Sequence, residues 1–184
     1  MIQEIRTYPR DIIERYLQAQ IGPVEHPWAL ISMYEALPLI NIREMDSLKK
    51  MGCVDFVSLK FEDLTDTDIA RLRISRPDEK RYPFTEDHAQ QIINLLDRIR
   101  DSEVQTLIIH CAAGVSRSGA VGVFAARYLG YDENKFRKQN AVCPNFWILS
   151  VLNKVAGINV DYVKFWEDDL RNDRLRSRII FRTE

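Results

Sequence analysis

The sequence predicts an α/β fold: a mostly parallel central sheet covered by helices on both faces. Short apolar runs rich in β-branched residues, "WALISMYE", "CVDFVSLKF" and "VQTLIIH", alternate along the chain with segments of helical period. One such segment, behind Thr85, places Ala89, Ile92, Ile93, Leu96 and Ile99 at offsets 0, 3, 4, 7 and 10, the stripe of an amphipathic helix. Strand, crossover helix, strand is also the order that builds parallel sheets buried on both sides.

The elements follow in order. Tyr8–Gln20 reads as a short helix. After the turn-prone "GPVEHP", "WALISMYE" is a strand; "LINIREMDSLKKMG" is a helix closed by Gly52, and "CVDFVSLKF" the next strand. Residues 63 to 84 are charged and hold Pro77 and Pro83, which reads as a long surface loop with room for a helical turn. Thr85 is an N-cap, with Glu86 and Asp87 in the first turn where the helix dipole favours them. "VQTLIIH" is a central strand, and "SGAVGVFAARYLG" a tightly packed helix ending at Gly130. Two more helices are expected at 132–140 and 145–156, the second carrying Trp147, Ile148, Val151, Leu152 and Val155. The C-terminal "FWEDDLRNDRLRSRIIFRTE" mixes signs and reads as a solvated helix or tail.

Composition bounds the function. A chain of 184 residues, 46% hydrophobic, is expected to form one domain, 1–184, around one core. The formal net charge of −1, from 26 basic and 27 acidic residues, gives no reason to expect nucleic-acid or membrane-surface binding. No stretch approaches the about 18 uninterrupted apolar residues of a membrane span. The N-terminus is charged throughout and has no signal-peptide core. Cys53, Cys111 and Cys143 are odd in number and lack metal-ligand spacing, which predicts a reduced, cytoplasmic protein without a bound metal.

The chemistry concentrates in "IIHCAAGVSRSGAV", residues 108 to 121, between a buried strand and a helix N-terminus. That is where α/β proteins bind ligands and where free backbone amides favour anions. The small residues Ala112, Ala113 and Gly114 let the loop curl into an anion-binding nest. Beside a helix N-terminus and Arg117, the Cys111 thiol is expected to be held as thiolate. Arg117 offers a planar fork for two oxygens of one phosphate. A P-loop would need Gly-Lys-Ser/Thr, and no lysine is present; a nucleophile elbow would need G-x-S-x-G, and Ser118 stands where its last glycine belongs.

"HCAAGVSRSG" resembles the H-C-x5-R-S loop of the cysteine-dependent protein tyrosine phosphatases, and in its H-C-x-x-G-x-S-R-S form the dual-specificity and small bacterial members. The resemblance spans about residues 28–156. Low-molecular-weight phosphatases carry C-x5-R near the N-terminus, classical receptor-like enzymes carry a Trp-Pro-Asp loop, and phosphoinositide phosphatases carry extra basic residues in the loop; this chain has none of these. The resemblance implies a three-layer cysteine-phosphatase fold, no metal or cofactor, and a phosphorylated protein as partner. It implies hydrolysis of phosphotyrosine, and of phosphoserine or phosphothreonine where specificity is dual. Cys111 would attack phosphorus. The amides of Ala112, Ala113, Gly114, Val115 and Ser116, with Arg117, would hold the phosphate oxygens, Ser118 would assist the thiolate as leaving group, and His110 would orient the loop. The general acid would be an aspartate after the strand that precedes the crossover helix. "LKFED" ends there at Asp63, favoured over Asp66, Asp68 and Asp78 although it stands 48 residues before Cys111. Asn145 matches a helix start and reads as structural. Cys143 would be a redox partner for Cys111 only if the two sulfurs meet. A catalytically inactive phosphoprotein-binding module, or a phosphatase for small metabolites or nucleotides, would carry the same loop.

Overall fold

Period-two alternation in the strands sorts the apolar side chains onto two faces, and helices cover both. The computed structural model describes residues 2–38, 42–65, 67–70 and 81–160. In chain order the elements are β1 (Glu4–Pro9), α1 (Arg10–Ala19), β2 (Trp28–Tyr34), α2 (Ile42–Lys50), β3 (Cys53–Lys60), α3 (Glu86–Arg100), β4 (Thr106–Cys111), α4 (Arg117–Tyr128), α5 (Glu133–Gln139) and α6 (Phe146–Val155). The four strands pair in the order β1-β4-β2-β3, and every pairing is parallel.

Ala29, Ile31 and Met33 of β2 join Leu107 and Ile109 of β4 in the larger core, beneath α3, α4, α5 and α6. Trp28, Leu30 and Ile108 point the other way and pack with Ile13 of α1 and Leu48 of α2. The layers are therefore helix, sheet, helix. The expected stripe of α3 is buried in full, with Leu95 added to it. Its start is the predicted Thr85, but the capping box is completed by His88: its backbone amide donates to Thr85 Oγ1, and its Nδ1 accepts from the Thr85 amide at 3.1 Å. Helix α4 is buried on all sides from Arg117 to Ala126, as a helix wedged between a sheet and other helices must be. Gly122 makes that possible, because a Cβ there would collide with the buried Phe136 ring of α5.

Two expectations are corrected. Residues 4–9 form a strand that the sequence pattern did not predict, and the helix expected from Tyr8 begins at Arg10. β1 is an edge strand whose one fully buried side chain is Ile5, so its alternation is faint and it is set by pairing with β4 about a hundred residues away in sequence. The expected parallel sheet is present: among the described residues every strand pairing is parallel. In the 63–84 stretch, Asp66 and residues 71–80, Asp78 among them, lie outside the described residues, as do 161–184 and with them the "FWEDDLRNDRLRSRIIFRTE" segment.

Candidate active site

Because all strands run the same way, their C-terminal ends share one edge of the sheet. β1 and β4 are neighbours there, yet α1 covers one face and α4 the other, so their C-terminal ends flank a topological switch point, the usual ligand crevice of such sheets. Cys111 is the last residue of β4, and Arg117 opens α4. The five residues between them must turn sharply against the β1–α1 junction. Gly114 allows it: its φ is +74°, and a Cβ would stand 2.6 Å from the backbone N of Pro9 and the carbonyl carbon of Tyr8.

The loop's carbonyls are tied down from outside. Ala112 O accepts from the Arg10 amide at 3.1 Å, Val115 O from the Cys143 amide at 3.3 Å, and Ser116 O from the Asn145 amide at 3.2 Å. Among the described residues, none of the amides from Ala112 to Ser116 has a protein acceptor. Donors left open next to a helix N-terminus are chemically suited to an anion.

Cys111 is buried, and its Sγ lies 3.3 Å from Ser118 Oγ, within hydrogen-bonding distance for sulfur. The Arg117 side chain is 2% exposed. Its Nη1 donates to Phe61 O at 3.0 Å, and its Nη2 pairs with Glu35 Oε1 at 2.8 Å. Nε is buried without a hydrogen-bond partner among the described residues, and Asp63 Oδ2 is 4.0 Å away. An orphaned charged donor in a buried position is costly, and an anionic ligand would relieve it.

Asp63 reaches the same place from the β3 end. Phe61 and Glu62 are pinned there: the Phe61 amide donates to Tyr34 O at 3.0 Å, the Glu62 amide to Tyr82 O at 2.7 Å, and the Glu62 carboxylate pairs with Arg81 at 2.6 Å. Asp63 Oδ1 accepts from Ser116 Oγ at 2.9 Å and from Asn145 Nδ2 at 2.7 Å. Asp68, by contrast, spends its carboxylate on Thr65, accepting from the Thr65 amide at 2.9 Å and the hydroxyl at 2.6 Å.

His110 is buried under the loop, with Nε2 2.8 Å from Ser32 Oγ of β2, its partner in register. Burial pushes its pKa down to about 4; the Cys111 backbone opposes this, and the Arg10 and Arg117 cations add to it. His110 is therefore neutral at pH 7 and suited to orienting the strand end. Cys143 is exposed, whereas Cys111 is buried. Sequence reasoning missed Glu35, whose signal was available: a carboxylate directly after a buried strand, at the edge where such sheets bind ligands. It also read Asn145 as structural only. The side chain does cap α6, accepting from the Ile148 amide at 3.2 Å, but it also reaches Asp63.

No family model matches this sequence, and no curated protein matches it. Among solved structures the chain is similar to one described as the crystal structure of Tk-PTP in the active form, at 17% identity over 83% of this chain and 92% of that one, with a TM-score of 0.47. A likeness of that degree does not bear on activity.

Proposed function

We propose that this chain is a protein phosphatase that hydrolyses phosphotyrosine monoesters through a cysteinyl-phosphate intermediate. The observation that carries the reading is Arg117: a buried guanidinium fixed by Phe61 O and Glu35, its Nε left over, directly after a loop whose five amides have no protein acceptor among the described residues. Such a constellation is built for a tetrahedral oxyanion, and a buried thiol opens the same loop.

In the first step the Cys111 thiolate attacks phosphorus. The S–P bond forms as the ester P–O bond breaks, and the electron pair leaves on the tyrosine oxygen, which takes the proton of Asp63. Arg117 and the amides of Ala112, Ala113, Gly114, Val115 and Ser116 hold the non-bridging oxygens, so stabilisation is mainly electrostatic. In the second step water attacks the cysteinyl-phosphate and the Asp63 carboxylate takes its proton. The S–P bond breaks and its pair returns to sulfur, to which Ser118 Oγ donates. The products are tyrosine and inorganic phosphate. An odd number of cysteines, Cys53, Cys111 and Cys143, is consistent with a reducing, cytoplasmic setting. Cys111 and Arg117 together weigh against an inactive phosphoprotein-binding module.

The test is kcat/KM across phosphotyrosine and phosphoserine peptides, phosphoinositides and nucleotides, with and without a chelator. Turnover highest on phosphotyrosine and unchanged by the chelator is expected. Preference for nucleotides would reassign the substrate, and no turnover of any monoester would overturn the reading.

A further inference from the structure

The Asp63 carboxylate is held asymmetrically. Oδ1 accepts two hydrogen bonds, from Ser116 Oγ and Asn145 Nδ2, whereas Oδ2 faces Arg117 Nε at 4.0 Å. Asn145 is only 6% exposed, and its amide is used in full. Oδ1 accepts from the Ile148 amide, and Nδ2 donates both to Asp63 and to Leu64 O at 3.0 Å. Swapping its oxygen and nitrogen would set acceptors against the Asp63 and Leu64 oxygens, so its orientation is determined by its surroundings.

We propose that Asn145, with Ser116, is a positioning residue for the acid step: the two donors fill Oδ1 and confine the transferable proton of Asp63 to Oδ2. This rests on the phosphatase reading above. An oxygen that already accepts two hydrogen bonds is a poor site for a proton, and Oδ2 lies on the Nε side of the guanidinium, where a bound phosphate would sit. As the ester P–O bond breaks, the proton moves from Oδ2 to the leaving oxygen, and the same two donors stabilise the carboxylate left behind. Asn145 also ties that geometry to the start of α6, so the acid is aligned by a helix rather than by its own loop.

Asn145→Ser separates this role from the cap. Serine caps a helix about as well as asparagine but has no amide to reach Asp63. The expected result is a melting temperature close to wild type, and kcat on a phosphotyrosine peptide down about tenfold or more, against a change of under about threefold on an electron-poor aryl phosphate, whose leaving group needs little acid help. Asp63→Asn should show the same selectivity more strongly, and adding Asn145→Ser to it should cost less than about twofold more, because the two act on one proton. Should Asn145→Ser fold poorly, Ser116→Ala removes the other donor without touching the cap, and the same selectivity is expected. Equal slowing of both substrates by these variants, with Asp63→Asn still selective, would overturn the positioning role and leave the phosphatase reading intact. An unselective Asp63→Asn would overturn the acid assignment and the positioning with it.

Discussion

At the scale of single residues, His110 shows how the site constrains its own support. The ring is fully buried between strand and loop and joined to Ser32, and only the neutral form suits that place. Its pKa is about 4 in the folded chain, against about 6.5 for an unperturbed histidine. Between those values the unfolded chain binds a proton that the folded one refuses. The stability tied to the neutral ring is therefore complete above about pH 6.5 and is lost as pH falls toward 4, where the folded form is protonated too. The loss amounts to about 3 kcal/mol. Urea unfolding of wild type and His110→Gln at a series of pH values checks this. The difference in stability between them should shrink as pH falls through that window, and a constant difference would show that His110 is not held neutral.

At the scale of elements, the loop depends on a strand that sequence patterning missed. β1 ends at Pro9, and its junction with α1 supplies both the Arg10 amide that holds Ala112 O and the backbone wall against Gly114. Gly114→Ala adds a methyl group where φ is +74° and where backbone, which cannot rotate away, already stands 2.6 Å off. The substitution is expected to destabilise the fold by about 1–3 kcal/mol and to lower kcat about tenfold or more, since the loop must shift away from Pro9. Chemical denaturation and kcat on an aryl phosphate measure the two effects. Wild-type values for both would mean that the junction does not shape the loop.

At the scale of the whole molecule, what the sequence disclosed depended on whether the signal was local. β2, β3 and β4 carry strong runs of apolar, β-branched residues, and α3 carries a full stripe with its cap at Thr85, so their places could be read directly. The loop from Cys111 to Ser118 is contiguous, so its residue types could be read together without knowledge of the fold. β1 was hidden because an edge strand with one buried side chain owes its form to a distant partner. Glu35 and the second role of Asn145 were hidden for a related reason. Their partners, Arg117 and Asp63, are 82 residues away in sequence in each case and meet them only because the parallel sheet gathers its strand ends at one edge. No helix among the described residues is long and apolar enough to cross a membrane.

The central claim is a phosphoryl group carried on Cys111, and the most direct measurement is mass analysis of the enzyme quenched in acid during turnover of an aryl phosphate. One added phosphoryl group is expected on the peptide that contains Cys111. Neither that adduct nor turnover is expected in Cys111→Ser, which should still bind vanadate because the loop amides and Arg117 are unchanged. Wild-type turnover with no phosphoryl group on that peptide, or turnover by Cys111→Ser within about tenfold of wild type, would contradict it.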